Sequence, residues 1–297
     1  MKGQERTRRG AEVLAVTVLL AGAAIAPHAA AADANTIYEI QYTTDPNGDS
    51  PLAGQVIDCV GGIVTHKFPG YRPKLTLCDP ADATGWGGIQ VKDWTTYGTY
   101  GRKLFDSVEV GDRVSLENVE VEEYRGGTLL KYHEDRDPNF EVVSTDNTLP
   151  PPLVVTPADI AAPLEGPVGE WYVAGHMPTP EKYEGMWIQV EDVTVTAMHV
   201  GKAADNYVLS DGSGDCWAAD YMNADIGPDY YHPLIEMGEH FESISGILEQ
   251  YTKTSSGWDY YQLVTTCTDD VVVPEPASLS LLLCGAAGLA LGRRRRR

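Results

Sequence analysis

Cationic residues are scarce in this sequence: 22 Lys and Arg stand against 43 Asp and Glu, a formal net charge of −21 over 297 residues. Nucleic-acid binding takes most of its affinity from Lys and Arg neutralising phosphates, so a chain this negative is not expected to have nucleic acid as a partner. Long apolar runs are confined to the two ends, and a mean hydropathy of −0.23 excludes a membrane-embedded body. There is no H-E-x-x-H, no G-x-S-x-G, no phosphate loop and no dinucleotide fingerprint, so the chain is read as non-enzymatic, with no catalytic residue and no cofactor. Cysteines number five and form no C-x-x-C, and the histidines are scattered, which argues against zinc. The densest polar cluster, His133-Glu134-Asp135, follows a strand and reads as a solvated strand end. Long runs of helical period are missing too, which leaves a mainly β body.

The ends carry addresses. Lys2, Arg6, Arg8 and Arg9 precede an apolar stretch from Val13 to Ile25, followed by the small residues Ala29 to Ala32 before Asp33. Basic start, short apolar helix and small-residue cleavage site make residues 1–32 a secretory signal peptide, and the apolar stretch falls short of the ~20 residues of a membrane span. At the other end, in residues 273–297, Pro274-Glu275-Pro276 is followed by a mostly apolar run from Ala277 to Gly292 and then by Arg293, Arg294, Arg295, Arg296 and Arg297. Arginines resist translocation, so they hold the tail on the cytoplasmic side while the body sits outside. The triplet, the short transmembrane helix and the arginine cluster, in that order, resemble the PEP-CTERM sorting signal of Gram-negative bacteria. That resemblance implies export machinery and an exosortase, a membrane cysteine protease, as partners. It also implies removal of the tail near the triplet, and delivery to the cell envelope, cell surface or extracellular matrix after transient or stable anchoring in the inner membrane.

Without residues 1–32 and 277–297 the body keeps 13 basic and 41 acidic residues. Such a surface stays soluble and attracts Ca²⁺, cationic polymers or basic protein patches. The body also keeps Cys59, Cys78, Cys216 and Cys267, an even number in an exported chain, which predicts disulfides. Four cysteines allow three connectivities, and an internal repeat favours one pair per half, Cys59 with Cys78 and Cys216 with Cys267.

That repeat is legible. Predicted strands Gln55 to His66, Lys74 to Cys78, Gly88 to Lys92, Arg113 to Glu122 and Thr128 to Tyr132 form a first set. After Leu149-Pro150-Pro151-Pro152, which reads as a stiff spacer, come Met186 to His199, Asn206 to Leu209, Cys216 to Tyr221, Phe241 to Glu249 and Tyr260 to Thr265. Gly54-Gln55-Val56-Ile57 matches Gly185-Met186-Trp187-Ile188, Leu77-Cys78-Asp79 matches Leu209-Ser210-Asp211, and Val110-Gly111-Asp112 matches Met237-Gly238-Glu239, at offsets of 131, 132 and 127. Ile188 and Val190 share one parity and Val193 and Val195 the other, which predicts a bulge in a long bent strand, and Gly61-Gly62 takes the comparable place in the first half.

Five strands with a long bent first member fit an OB-like Greek-key barrel. The run Thr36-Ile37-Tyr38-Glu39-Ile40-Gln41-Tyr42-Thr43-Thr44-Asp45-Pro46, then Ser50 to Val56, resembles the opening of OB-like domains found beside secreted endonuclease/exonuclease/phosphatase-type enzymes, and Glu184-Gly185-Met186 is similar to their second repeat. The fold class expected is therefore all-β, two tandem OB-fold-like five-stranded barrels at 33–148 and 149–272, flanked by the signal peptide and the sorting helix. Strand order in such a barrel, one beside two and three beside five, supports the cysteine pairing.

OB-folds commonly bind over strands two and three, where Trp86, Trp94 and Tyr97 of the first half and Tyr207, Trp217 and Tyr221 of the second are the candidate ligand-binding residues. Asp45, Asn47 and Asp49 alternate as the start of a Ca²⁺ loop does, but the glycine is displaced and Val56 stands where a bidentate Glu would close the site. The function expected is an exported surface or matrix protein with a binding or structural role towards a polysaccharide or a protein. The alternative is an accessory binding module of an extracellular nuclease or phosphoesterase system.

Overall fold

The computed structural model describes residues 34–69, 73–93, 103–132, 139–167, 169–201, 206–220 and 232–274. The signal peptide and the tail beyond Pro274 lie outside the described residues. Among those described, no helix is long and apolar enough to cross a membrane.

The first half closes into a barrel. Its strands are β1 (Val56–Phe68), β2 (Lys74–Cys78), β3 (Gly88–Asp93), β4 (Arg113–Tyr124) and β5 (Gly127–Tyr132), in the order β1-β2-β3-β5-β4 with β4 returning to β1. Every pair is antiparallel except β3 with β5. β6 (Asn139–Ser144) adds to β4 at the edge. Leu75, Leu77, Ile89, Val91 and Val121 fill the core, and two five-residue helices cover it. In α1 (Ile37–Gln41) Thr36 caps the Glu39 N–H while Glu39 reaches back to the Thr36 N–H, and Ile37 and Ile40 point inward. In α2 (Lys103–Ser107) Leu104 and Phe105 do the same.

The second half repeats the ring with additions. β7 (Leu153–Val154), α3 (Pro157–Ile160), β8 (Leu164–Glu165) and β9 (Trp171–Tyr172) precede β10 (Trp187–Val200), β11 (Asn206–Ser210), β12 (Asp215–Ala219), β13 (His240–Lys253) and β14 (Trp258–Val264), and β15 (Val271–Val272) follows. The ring runs β10-β11-β12-β14-β13 and back to β10, the same order as the first, so each half is an OB-like five-stranded barrel. The Pro150–Pro152 segment delivers the chain straight onto β10 through β7.

The repeat extends to single hydrogen bonds. Val64 N–H donates to Asp112 O and Gly111 N–H to Val64 O; Val195 N–H donates to Glu239 O and Gly238 N–H to Val195 O. The Asp79 carboxylate accepts from Ala81 N–H, as Asp211 does from Ser213 N–H. The bend in the first strand comes differently in each half. Around Gly61, at φ 67°, the β1–β4 register shifts, as expected for a bulge. In β10 the phase change passes through Asp192 at φ 54° with no slip against β13, and the irregularity falls later, against β11.

The predicted disulfides are not formed: all four described cysteines are free thiols. Cys78 pairs with Ile63, and Cys59 lies four residues along β1 from there, roughly 13 Å at ~3.3 Å per residue, beyond the ~7 Å Cα limit of a bridge. In the second half β12 and β14 are parallel, so Cys216 starts one strand while Cys267 follows the end of the other. Adjacent strands were correctly expected, but their direction puts the two thiols at opposite ends. Burial pushes the Cys59 thiol up to about 12 and Cys78 up to about 11, and raises Cys216 as well.

The barrels press against each other along a seam. Gly88 at the start of β3 meets Gly185 back to back, where an added methyl on Gly88 would lie 2.5 Å from the Gly185 carbonyl oxygen. Trp86 N–H donates to Lys182 O at 2.7 Å and Thr252 N–H to Arg125 O at 2.6 Å. Lys74 and Gln90 of the first barrel both bond Glu249 Oε1 of the second, at 2.5 and 2.6 Å. At one end Phe68 packs on Ile247, Val264 and Trp187, and the His66 ring stands edge-on to Trp187 at 4.9 Å.

Candidate functional site

The sequence-predicted aromatic residues separate into three groups. Trp94, Tyr97 and Tyr221 lie outside the described residues. Tyr207 and Trp217 are core rather than surface: Tyr207 is fully buried with its hydroxyl donating to Asp220, and Trp217 packs edge-on to Tyr260 at 4.8 Å inside the second barrel. Asn206 to Leu209 of β11 and Cys216 to Ala219 of β12 are all buried, so both faces of this wall are covered, and Trp171 of β9 packs edge-on to Trp217 at 5.6 Å. Trp86 alone of the described candidates is only partly buried.

Trp86 does not stand by itself. Its ring meets Tyr42 edge-on at 5.6 Å, and Tyr42 stacks on Tyr38 at 5.2 Å with only 10° between planes. Tyr38 is 37% exposed and Tyr42 44%. The row follows from local sequence: within Ile37-Tyr38-Glu39-Ile40-Gln41-Tyr42, burial of Ile37, Ile40 and Gln41 turns the two tyrosines outward at helical spacing. Gln41 fixes the row against the seam by donating to Gly88 O at 2.7 Å. Trp86 itself sits at φ 65°, a left-handed conformation that costs a bulky residue, and its N–H is the one that crosses to Lys182. Sequence reasoning missed Tyr38 and Tyr42 because it passed over the capping box Thr36-x-x-Glu39, the signal of a helix there.

A second aromatic group lies on the other barrel: Trp171, Trp258 and Tyr251, half-buried, lean on Trp217 and Tyr260. Arg125 and Lys253 cover the Tyr251 and Trp258 rings at 5.6 and 5.1 Å, so cationic side chains of this chain already occupy those faces.

Between the barrels the chemistry is acidic. His176 joins Tyr261 through Nδ1 at 2.8 Å and Asp259 through Nε2 at 3.0 Å, while Tyr261 O–H donates to Glu181. Asp259 also accepts from Gln250 and Thr252. Burial opposes charge on His176, but the Asp259 hydrogen bond and charge, with Glu181 and Asp49, outweigh it and raise its pKa. Burial first, then the neighbouring carboxylates Glu181, Glu123 and Glu249, lifts Glu184 well above the usual range; Glu123 is raised chiefly by burial. No group of three His, Cys, Asp or Glu among the described residues is arranged to hold a metal ion. The Asp45–Asp49 segment is an Asx turn, in which Asp45 accepts from Asn47 N–H at 2.8 Å and Thr43 donates to the Asp49 carbonyl. The oxygens proposed as the start of a calcium loop are therefore partly used by the turn itself.

No family model and no curated protein matches the chain. Among solved structures it is similar to fission yeast Pot1 with single-stranded DNA, at 12% identity and a TM-score of 0.31, covering 78% of this chain and 83% of that one. It is also similar to a replication protein A heterotrimer bound to single-stranded DNA, at 10% identity and a TM-score of 0.23, covering 79% and 69%. Neither likeness bears on what this chain binds.

Proposed function

We propose that the chain is an exported, non-catalytic binding protein of the cell surface or extracellular matrix, and that its first barrel takes a glycan without acidic groups across Tyr38, Tyr42 and Trp86. The observation that carries this reading is the exposed aromatic row: two parallel tyrosine rings with a tryptophan at their end, held by a helix cap and by a left-handed backbone. Pyranose rings present apolar C–H faces that pack on such rings, while hydroxyls stay in water. A chain of net charge −21 favours a neutral or aminated polymer over a phosphate or uronate chain. Export and sorting rest on the signal peptide and on the resemblance of the tail to PEP-CTERM signals.

The test is retention in native gels cast with neutral, aminated or acidic polysaccharide. Wild type should be retarded by a neutral or aminated polymer, and Trp86→Ala or Tyr42→Ala should each weaken retention about tenfold, the equivalent of ~1.4 kcal/mol. Equal retention of all three proteins would overturn the site. Salt-sensitive binding or cleavage of DNA would instead favour the accessory-module reading.

A further inference from the structure

The carboxyl groups buried between the barrels take no part in the proposed binding row. Glu181 and Glu184 bracket the short helical turn that faces the first barrel, and both are nearly inaccessible, at 2% and 5% exposure. One backbone turn apart, they lie side by side, and no Lys or Arg pairs with either in the described structure. The first barrel closes over them with glycines: Gly48 against the Glu181 carboxyl group and Gly127 against that of Glu184, where an added methyl would lie 3.0 Å from Oε1. Glu123 of β4 comes from the same side, accepting from Ser50 N–H and the Thr128 hydroxyl, and one oxygen each of Glu123 and Glu184 is buried without a hydrogen-bond partner. Two adjacent carboxyls enclosed in this way cannot both ionise without placing like charges side by side out of water.

We propose that Glu181 and Glu184, with Glu123 opposite, form a proton-dependent latch between the two barrels: the seam is shut while the pair keeps its protons and parts when they are withdrawn.

The surrounding charges set the direction. From barrel two, Asp259 and Tyr261 of β14 and Glu249 of β13 face the pair, together with His176 from the segment before it. From barrel one come Glu123 and Asp49, and Lys74 is engaged by Glu249 rather than by the pair. Acidic neighbours outnumber His176, the one cationic candidate in this set. Burial, outweighing the hydrogen bond from Tyr261 and the charge of His176, which both lower it, raises Glu181 from 4.5 to about 7, and Glu184 is raised as well. A carboxyl raised by burial stabilises the shut seam at low pH, and that stabilisation is lost as pH rises through the raised value. His66, at the apolar end of the seam, acts in the opposite sense: burial lowers it from 6.5 to about 4, so its protonation favours opening below pH 6.5. Above pH 6.5 His66 is neutral in both states; His176, raised by Asp259, gives up its proton there with the same sign as the carboxyls, and the Glu184→Gln comparison separates the two.

Hydrogen exchange of the full chain reads this directly. The Trp86 and Thr252 amides bond across the seam, whereas the Gly111 and Gly238 amides bond within each barrel and serve as controls. Between pH 6.5 and 8.5, after correction for intrinsic exchange, the opening constant at Trp86 and Thr252 should rise with pH while Gly111 and Gly238 stay level, and the part of the rise above about pH 7 belongs to Glu184. Glu184→Gln, and to a lesser degree Glu181→Gln, should flatten that slope, with circular dichroism confirming the fold. Level seam amides in wild type would overturn the latch, as would an unchanged slope in a folded Glu184→Gln protein. Because no glycan is present, this result does not depend on the binding row.

Discussion

Replacing Gly88 by alanine tests the seam at its narrowest point. A Cβ there would lie 2.5 Å from the Gly185 oxygen and 2.6 Å from the Met186 Cα, both on backbone that cannot rotate away. Ordinary contact begins near 3.4 Å, so the barrels would have to part by about 0.9 Å. Gly88 does not occupy the left-handed region, so the cost comes from the contact and not from its own backbone. A parting of that size stretches the Trp86 to Lys182 bond, now 2.7 Å, past hydrogen-bonding range. Overpacking of this kind costs about 1–3 kcal/mol and one lost hydrogen bond about 0.5–1.5 kcal/mol more, so Gly88→Ala should lose about 2–4 kcal/mol. Urea denaturation gives the total, and exchange at the Trp86 amide shows whether the loss is at the seam. Gly175→Ala is the control, since nothing lies within 4 Å of its added methyl. If Gly88→Ala melts within about 0.5 kcal/mol of wild type with Trp86 protection unchanged, the barrels do not meet as described.

Reduction of the purified protein should leave its mass unchanged, and at pH 8 an alkylating reagent should reach Cys267 before Cys59, Cys78 and Cys216, which are buried and held as thiols; a gain of two hydrogens on reduction would contradict this. Asp220→Ala should cost at least about 3 kcal/mol, because it strips an acceptor from the buried Tyr207 and Thr265 hydroxyls and the His232 N–H, while Asp220→Asn should cost less; a denaturation midpoint indistinguishable from wild type would refute that network. Trp86→Gly should be near neutral for stability, since relief of ~1–2 kcal/mol of left-handed strain offsets the lost ring contact, yet it should weaken retention on glycan gels about tenfold, as Trp86→Ala does; unchanged retention would remove Trp86 from the binding row.

Periodicity and duplication made much of the fold legible. Alternating runs marked the strands of both rings, and the matched triplets around Gly54 and Gly185, and around Gly111 and Gly238, landed on equivalent hydrogen bonds because both depend on a local glycine conformation that sequence records. Helix α1 was legible in principle from its capping box and was passed over. The site was harder to read. Tyr207 and Trp217 look like surface aromatics until both faces of the wall are seen to be covered: opposite Ala218 and Val208, the two rings point to opposite faces, and Trp171 packs on Trp217 while the Tyr207 hydroxyl donates to Asp220, contacts with no local signature.

Composition and short-range pattern by themselves determined an acidic, β-rich, duplicated body, because charge, strand period and glycine turns are properties of neighbours along the chain. Tertiary structure alone decided three things. It ran β12 and β14 parallel and so separated Cys216 from Cys267. It brought Trp86 to the end of the Tyr38–Tyr42 stack. It also shut Glu181 and Glu184 under the glycines of the other barrel, where their charge becomes costly. Each of these depends on which strands meet and in which direction, and on how closely two backbones approach, and such long-range geometry leaves no periodic trace in a sequence.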